Sequence, residues 1–199
     1  DPVMLCSTPI LMVMAGPNGS GKSTITAGYQ TIGEYVNADD IQNHLSCDAL
    51  KAAIIATNTR EYLLSQQKDF TFETLLSTER NYDLMQRAKE MGYRVICIYV
   101  LTIDPKINIS RVEQRKNKGG HYVPPEKVTQ RFHRAMSLFP KLFDVCDECY
   151  VYDNSPERGC GEPSMILKWR YGVLEYLSND IWSVEMLKDL CAGKYLCNQ

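Results

Sequence analysis

The stretch "MAGPNGSGKST", Met14 to Thr24, decides the fold of this 199-residue chain. Gly16, Gly21, Lys22 and Ser23 fit the spacing G-x-x-x-x-G-K-[ST]. Before them runs "PILMVMA", Pro9 to Ala15, apolar throughout and the length of one fully buried strand. After them, "KSTITAGYQ" opens a helix. Strand, glycine-rich turn and helix together are the context of a phosphate-binding loop. The glycines let successive backbone N–H groups converge on one anion-sized hollow, and the new helix adds the positive end of its dipole. The expected nucleotide contacts are Gly16, Pro17, Asn18, Gly19, Ser20, Gly21, Lys22, Ser23 and Thr24. Lys22 is expected on the β- and γ-phosphates, and the Ser23 hydroxyl on Mg²⁺. Asn18 and Gly19 keep the turn tight.

Composition sets the bounds. A chain of this length is read as a single domain over 1–199, with a core of about 9–155 and a C-terminal appendage from 156. The chain opens on Asp1 rather than Met, so a preceding piece is expected. A 44% hydrophobic content suffices for a core, and a net charge of −2 argues against a nucleic-acid-coating surface. No apolar run reaches the length of a membrane span. The eight cysteines are read as free thiols, since a nucleotide loop points to the ATP-rich, reducing cytoplasm.

Outward from the loop, strand and helix alternate. "EYVNA" (Glu34 to Ala38) reads as a strand, "DDIQNHL" as a helix, and the run from Asp48 to Gln67 as a long helix. "DFTFET" is a strand, and "STERNYDLMQRAKEMG" a helix with Ser77 as N-cap and Gly92 as its stop. "YRVICIYVLT" is β-branched, aromatic and uninterrupted, so it is placed at the centre of the sheet. Helices follow over "DPKINISRVEQRKNK" and "PEKVTQRFHRAMSLFPKLF", then the strand "ECYVYDNS". This alternation predicts an α/β fold of P-loop NTPase type, a mostly parallel sheet with helices on both faces. "SMILKWRYGVLEYLS" suggests a small C-terminal hairpin around Gly172, "NDIWSVEMLKDLCAG" a last helix, and "KYLCNQ" a frayed end.

The same loop spelling occurs in transporter ATPases. Those need an LSGGQ-type signature, a strand ending in Asp-Glu and a switch histidine, all missing here; a guanine-reading N-K-x-D element is missing too. A small kinase remains. It needs a group to hold the acceptor hydroxyl and take its proton. "NADD" offers Asp39 and Asp40 at a strand end, where open α/β sheets bind ligands; Asp40 also fits an N-cap. "FTFETLLST" puts Glu73, with Thr74, beside the same crevice, as a substrate or Mg²⁺-water contact. Arg111 and Arg115 lie one helical turn apart, and Arg131 and Arg134 are near neighbours; such arginines close a lid over phosphates. In "KGGHYVPPE" the glycines form a hinge or substrate loop, and His121 contacts substrate or phosphate or caps the turn. Cys146, Cys149 and Cys160 lack a fourth zinc ligand, and Cys97 reads as core. Trp169 and Trp182 read as packing, whereas Tyr35 near the crevice is a candidate for stacking on a base.

In this order, "AGPNGSGKST", "VNADDI", "FTFETLLST" and "RVEQRKNKGGHYVPPEKVTQRFHR" resemble the zeta toxin family of P-loop kinases, in its short stand-alone GGHxVP branch. The resemblance covers about residues 9 to 155. It implies a doubly wound P-loop fold, ATP with Mg²⁺, and transfer of the γ-phosphate to a small-molecule hydroxyl. In characterised members that hydroxyl is the 3′-hydroxyl of the amino sugar in UDP-N-acetylglucosamine. By motif, Lys22 is the phosphate lysine, Ser23 the metal ligand, Asp39 the proton acceptor and Glu73 the substrate-holding glutamate. His121 stands where the toxins carry a second clamping arginine, so that role falls to Arg131 or Arg134, or the clamp differs. The resemblance admits an antitoxin partner, which nothing in the residues shows. Two other readings stay open: a metabolic kinase of a nucleoside, sugar acid or nucleic-acid end, and a nucleotide-dependent binding module with little turnover.

Overall fold

The computed structural model describes residues 7–120, 122–155, 162–194 and 197–198. Its centre is an eight-stranded sheet in the order β2-β3-β1-β4-β5-β6-β7-β8. The strands are β1 (Ile10–Ala15), β2 (Glu34–Val36), β3 (Phe70–Thr74), β4 (Arg94–Leu101), β5 (Glu148–Asp153), β6 (Ser164–Arg170), β7 (Val173–Tyr176) and β8 (Cys197–Asn198). Strands β2, β3, β1, β4 and β5 are mutually parallel; β6 pairs antiparallel with both β5 and β7, and β8 pairs parallel with β7. Chain order reverses direction at β1, which has β3 on one side and β4 on the other. A crevice therefore opens above the carboxyl end of β1.

The helices are α1 (Lys22–Thr26), α2 (Ala38–Leu45), α3 (Ala49–Ser65), α4 (Glu79–Glu90), α5 (Pro105–Asn117), α6 (Pro125–Leu138), α7 (Leu142–Val145) and α8 (Val184–Leu190). Side chains alternate along each strand, so the sheet feeds two cores. Leu11, Val13, Val95, Cys97, Tyr99 and Val151 join α3, α4, α7 and α8 in the larger one. Met12, Met14, Ile98 and Val100 meet Ile25, Tyr29 and Ile32 in the smaller. The uninterrupted apolar run is β4, buried along nearly its whole length between β1 and β5. The hairpin is present as β6 and β7, and its Ile166, Leu167 and Leu174 belong to the larger core. No helix among the described residues is long and apolar enough to cross a membrane.

Several expected boundaries move. Helix α1 stops at Thr26 instead of reaching Gln30, because short i→i+3 bonds from Gly28 and Tyr29 tighten the chain into a turn at a residue with poor helix propensity. Thr78, not Ser77, occupies the N-cap of α4, and no side-chain bond caps it. The last helix begins at Val184, because the Asn179 side chain captures the N–H groups of Ile181 and Trp182 in a turn. Cys197 and Asn198, expected to fray, pair with Glu175 and Tyr176.

Candidate active site

The turn after β1 is built around three positive-φ glycines, Gly16, Gly19 and Gly21. A Cβ on Gly16 would sit 2.1 Å from the Val100 carbonyl oxygen, so β4 passes too close for any side chain there. Lys22 lies at the start of α1, its side chain only 10% exposed. Its Nζ donates to the Gly16 carbonyl at 2.8 Å and stands 4.0 Å from Glu73 Oε1. Burial pushes the Lys22 ammonium below its ordinary pKa, against the pull of Glu73; Arg115 pushes the same way as burial, and Asp39 opposes it.

Above the loop lies a cleft of about 700 Å³. Its floor holds Asn18, Gly19, Gly21, Lys22 and Ser23; one wall carries Asp39, Asp40, Glu73 and Thr74; the other carries Arg115, Lys127 and Arg131. Asn37 caps α2, its side chain accepting from the Asp39 N–H at 2.9 Å. This corrects the expectation for Asp40, which sits inside the first turn. With the cap taken by Asn37, both carboxylates of "NADD" are left exposed at the cleft. Glu73 Oε2 accepts from the Tyr35 hydroxyl at 3.0 Å and from Asn37 Nδ2 at 3.3 Å, so its carboxylate is held in place. Tyr35 is pushed up to about 12, chiefly by burial, with the Asn37 hydrogen bond opposing and the Glu73 charge adding to the rise.

The expected lid arginines separate. Arg115 and Arg131 both reach the cleft, and Arg131 Nη1 donates to Asn18 Oδ1 at 3.2 Å. Arg111 turns beneath the loop instead, its Nη1 3.4 Å from the Ser20 carbonyl, and burial lowers its pKa against the pull of Asp153. Arg134, nearly one turn further along α6, is exposed and does not line the cleft. His121 lies outside the described residues. Thr74 lines the cleft, but its Oγ1 is engaged by Asn81 Nδ2 at 2.6 Å and the Leu76 N–H at 3.1 Å, while its carbonyl accepts from Gly16. Within the loop, Pro17 supplies a carbonyl to the Ser20 N–H, Ser20 is fully buried, and Thr24 is exposed on α1 away from the cleft.

Three supporting residues escaped the sequence reading. Asn108 is fully buried, donates to the Asn18 carbonyl at 2.7 Å, and accepts from the Thr102 hydroxyl. Asn154, just past β5, donates to the Ser20 carbonyl at 2.8 Å. Asn37 was the remaining one, and its place immediately before an acidic helix start was an available signal. Among the described residues no group of three or more His, Cys, Asp and Glu side chains is placed to hold a metal ion. Cys97, Cys146 and Cys149 are buried, Trp169 donates to the Cys146 carbonyl, and Cys160 lies outside the described residues.

The chain is similar to known proteins. The chain is 28% identical over 123 residues to an uncharacterized protein of Haemophilus influenzae, covering 59% of this chain and 88% of that one. Among solved structures, that of AvrRxo1-ORF1:AvrRxo1-ORF2 with sulphate ions superposes with a TM-score of 0.70 at 17% identity. That match covers 96% of this chain, which spans 66% of the matched chain's length. A structure of the PezAT chromosomal toxin-antitoxin system of Streptococcus pneumoniae gives a TM-score of 0.52 at 17% identity, covering 95% of this chain and 80% of that one. At such identities these likenesses establish the α/β P-loop fold. The family model described as Zeta toxin matches residues 4–157, from before β1 to beyond β5 and so across the loop and both walls of the cleft; the chain belongs to the zeta toxin family.

Proposed function

We propose that this chain is a kinase that passes the γ-phosphate of ATP to a hydroxyl of a small molecule, with UDP-N-acetylglucosamine the first acceptor to test. One observation carries the reading: a single cleft holds the loop lysine, the carboxylates of Asp39 and Glu73, and the guanidiniums of Arg115 and Arg131. Phosphoryl transfer asks for positioning and positive charge, and for a base beside the attacking hydroxyl. In this reading Asp39 takes the hydroxyl proton. Lys22, Arg115 and Arg131 offset the charge on the moving phosphoryl. Glu73, fixed by Tyr35 and Asn37, holds the acceptor. Gly16, Gly19 and Gly21 shape the loop that receives the phosphates, with Pro17, Asn18, Ser20 and Thr24 supporting it.

The Ser23 hydroxyl at the cleft floor and the nearby carboxylates form an oxygen donor set too sparse for an all-protein cage. That fits Mg²⁺, which binds with phosphate oxygens and water supplying most of its shell. When bound, Mg²⁺ neutralises charge on the phosphates. An antitoxin partner belongs to the same proposal, supported by the toxin-antitoxin system among the structural relatives.

The test is incubation with radiolabelled ATP and a panel of sugar nucleotides, nucleosides and sugar acids. A labelled product is expected, and Asp39→Asn is expected to lower its formation at least about a hundredfold, within the range of general-base catalysis. Unchanged turnover by Asp39→Asn removes that residue from the role. ATP binding with no acceptor-stimulated loss of ATP would instead make the chain a nucleotide-dependent binding module.

A further inference from the structure

A second cavity, of about 430 Å³, opens beside the cleft between edge strand β2 and helices α2 and α3. It shares Asn37 and Asp40 with the cleft, so the two adjoin at these residues. Its chemistry differs from its neighbour's. The cleft sets Lys22, Arg115, Lys127 and Arg131 beside the carboxylates of Asp39, Asp40 and Glu73; the titratable linings of the second cavity are Glu34, Tyr35, Asp40 and His44, with no lysine or arginine.

Its apolar walls are Ile41, Leu45 and Ile55. Leu45 is 58% exposed and Tyr35 38%, a large apolar exposure for side chains that face one hollow. The Tyr35 ring is not free to swing away: its hydroxyl donates to Glu73, and Asn37 Nδ2 donates to that hydroxyl at 3.1 Å. One side of this wall is therefore preorganised by the same carboxylate that faces the cleft.

The polar groups on offer are acceptors. His44 Nδ1 lies 2.8 Å from the Asp40 carbonyl oxygen, which can only accept, so the proton sits on Nδ1. In the neutral ring, Nε2 is left with a lone pair. With the Glu34 and Asp40 carboxylates, it lines the hollow with sites for N–H donors. Anionic groups meet carboxylates and no cation there, and are repelled.

We propose that this cavity seats the far end of the phosphate acceptor, and that this end is an apolar, flat group bearing N–H donors and carrying no negative charge. The inference rests on the kinase reading: the hydroxyl stands at Asp39 while the rest of the molecule crosses Asn37 into the hollow. The acceptor then spans a half that holds lysine and arginine beside carboxylates, where phosphate is handled, and a half without those cations that selects its body. A sugar bearing only hydroxyls leaves the apolar walls uncovered, and a group ending in phosphate is excluded from this half.

The test uses the whole chain with ¹³C-labelled isoleucine methyls, loaded with Mg²⁺ and a non-hydrolysable ATP analogue. The methyls of Ile41 and Ile55 report on the hollow. The probes are adenosine, cytidine and tryptamine, with adenosine 5′-monophosphate as the anionic counterpart. At least one of the three is expected to shift both methyls saturably, with the monophosphate at least tenfold weaker. Leu45→Arg, a change at an exposed position, is expected to reduce or reverse that preference. No saturable shift from any of the three, an equal or tighter response to the monophosphate, or indifference to Leu45→Arg overturns the proposal. Binding of the ATP analogue, followed in the same samples at the loop, reports on the kinase reading separately, so either can fail alone.

Discussion

Lys22 is a charge held where burial works against it. Its ammonium has the Gly16 carbonyl at 2.8 Å and Glu73 at 4.0 Å, yet the net effect is a pKa below the ordinary one. The folded state therefore binds this proton less tightly than the unfolded chain does. Where the lysine is protonated in both states the folded form carries the full penalty; the penalty fades, and stability rises, as pH climbs from the folded pKa to the unfolded 10.5. Lys22→Met is expected to keep or raise the unfolding free energy, by about 1 kcal/mol, within the usual range for relieving a functional site. Phosphate transfer is expected to fall by about two to three powers of ten, the scale seen when one charge-stabilising donor is removed. Urea unfolding and the radiolabel assay, run on the same preparation, check both. At this scale the loop was legible, because glycines with forced backbone angles and a lysine at fixed spacing leave few alternatives. Which of several nearby residues caps a helix was not: Asn37 displaces Asp40 and Thr78 displaces Ser77, within one turn of the expected position.

At the scale of elements, α5 does more than carry Arg115. Through Asn108 it ties the end of β4, at Thr102, to the Asn18 carbonyl, and the Asn108 backbone backs directly onto Gly19. Asn108→Leu leaves the Thr102 hydroxyl and the Asn18 carbonyl without this partner, at a cost of about 1–3 kcal/mol. The expected result is a rise of about tenfold in the KM for ATP, at about 1.4 kcal/mol for each tenfold, with circular dichroism unchanged. Wild-type nucleotide affinity in this variant would make the brace incidental. Such a residue could not be read from spacing: an asparagine inside an amphipathic helix looks like any solvated position until the loop is folded against it. The strands were the easier elements, since β1 is apolar throughout and β4 is apolar from Val95 onward. Helix ends were harder, since α1 and α8 are cut short by turns that draw on Gly28 and Asn179 rather than on any change in hydrophobic period.

Across the whole molecule the chemistry and the bracing lie at opposite ends of the sheet. The cleft sits at the carboxyl ends of β1 and β3; the amino end of β5 holds Glu148, 4% exposed, joined to Arg94 on β4, to Tyr150 at 2.6 Å and to Tyr171 of the β6–β7 turn at 3.1 Å. Burial raises the Glu148 pKa, but the bonds from Tyr150, Arg94 and Tyr171 outweigh it and the net shift is downward. A lowered carboxylate pKa contributes stability that is present above the ordinary value and lost as pH falls through the lowered one. Glu148→Gln is expected to cost about 1–2 kcal/mol near neutrality, since the Arg94 side of the pair is open to water, and to flatten the acid side of the profile. Urea midpoints from pH 7 to pH 3 measure both effects, and a parallel downward offset with no flattening would assign the acid sensitivity elsewhere. That this network ties in the C-terminal hairpin was not legible, because Arg94, Glu148 and Tyr171 meet only through sheet pairing. The parallel sheet and the cleft's location were legible from the alternation of elements alone. Asn18, finally, is gripped twice, its carbonyl by α5 and its side chain by α6. Loop and helix are thus buckled at one residue: α6 cannot be drawn away from Asn18 without unfastening the Arg131 contact.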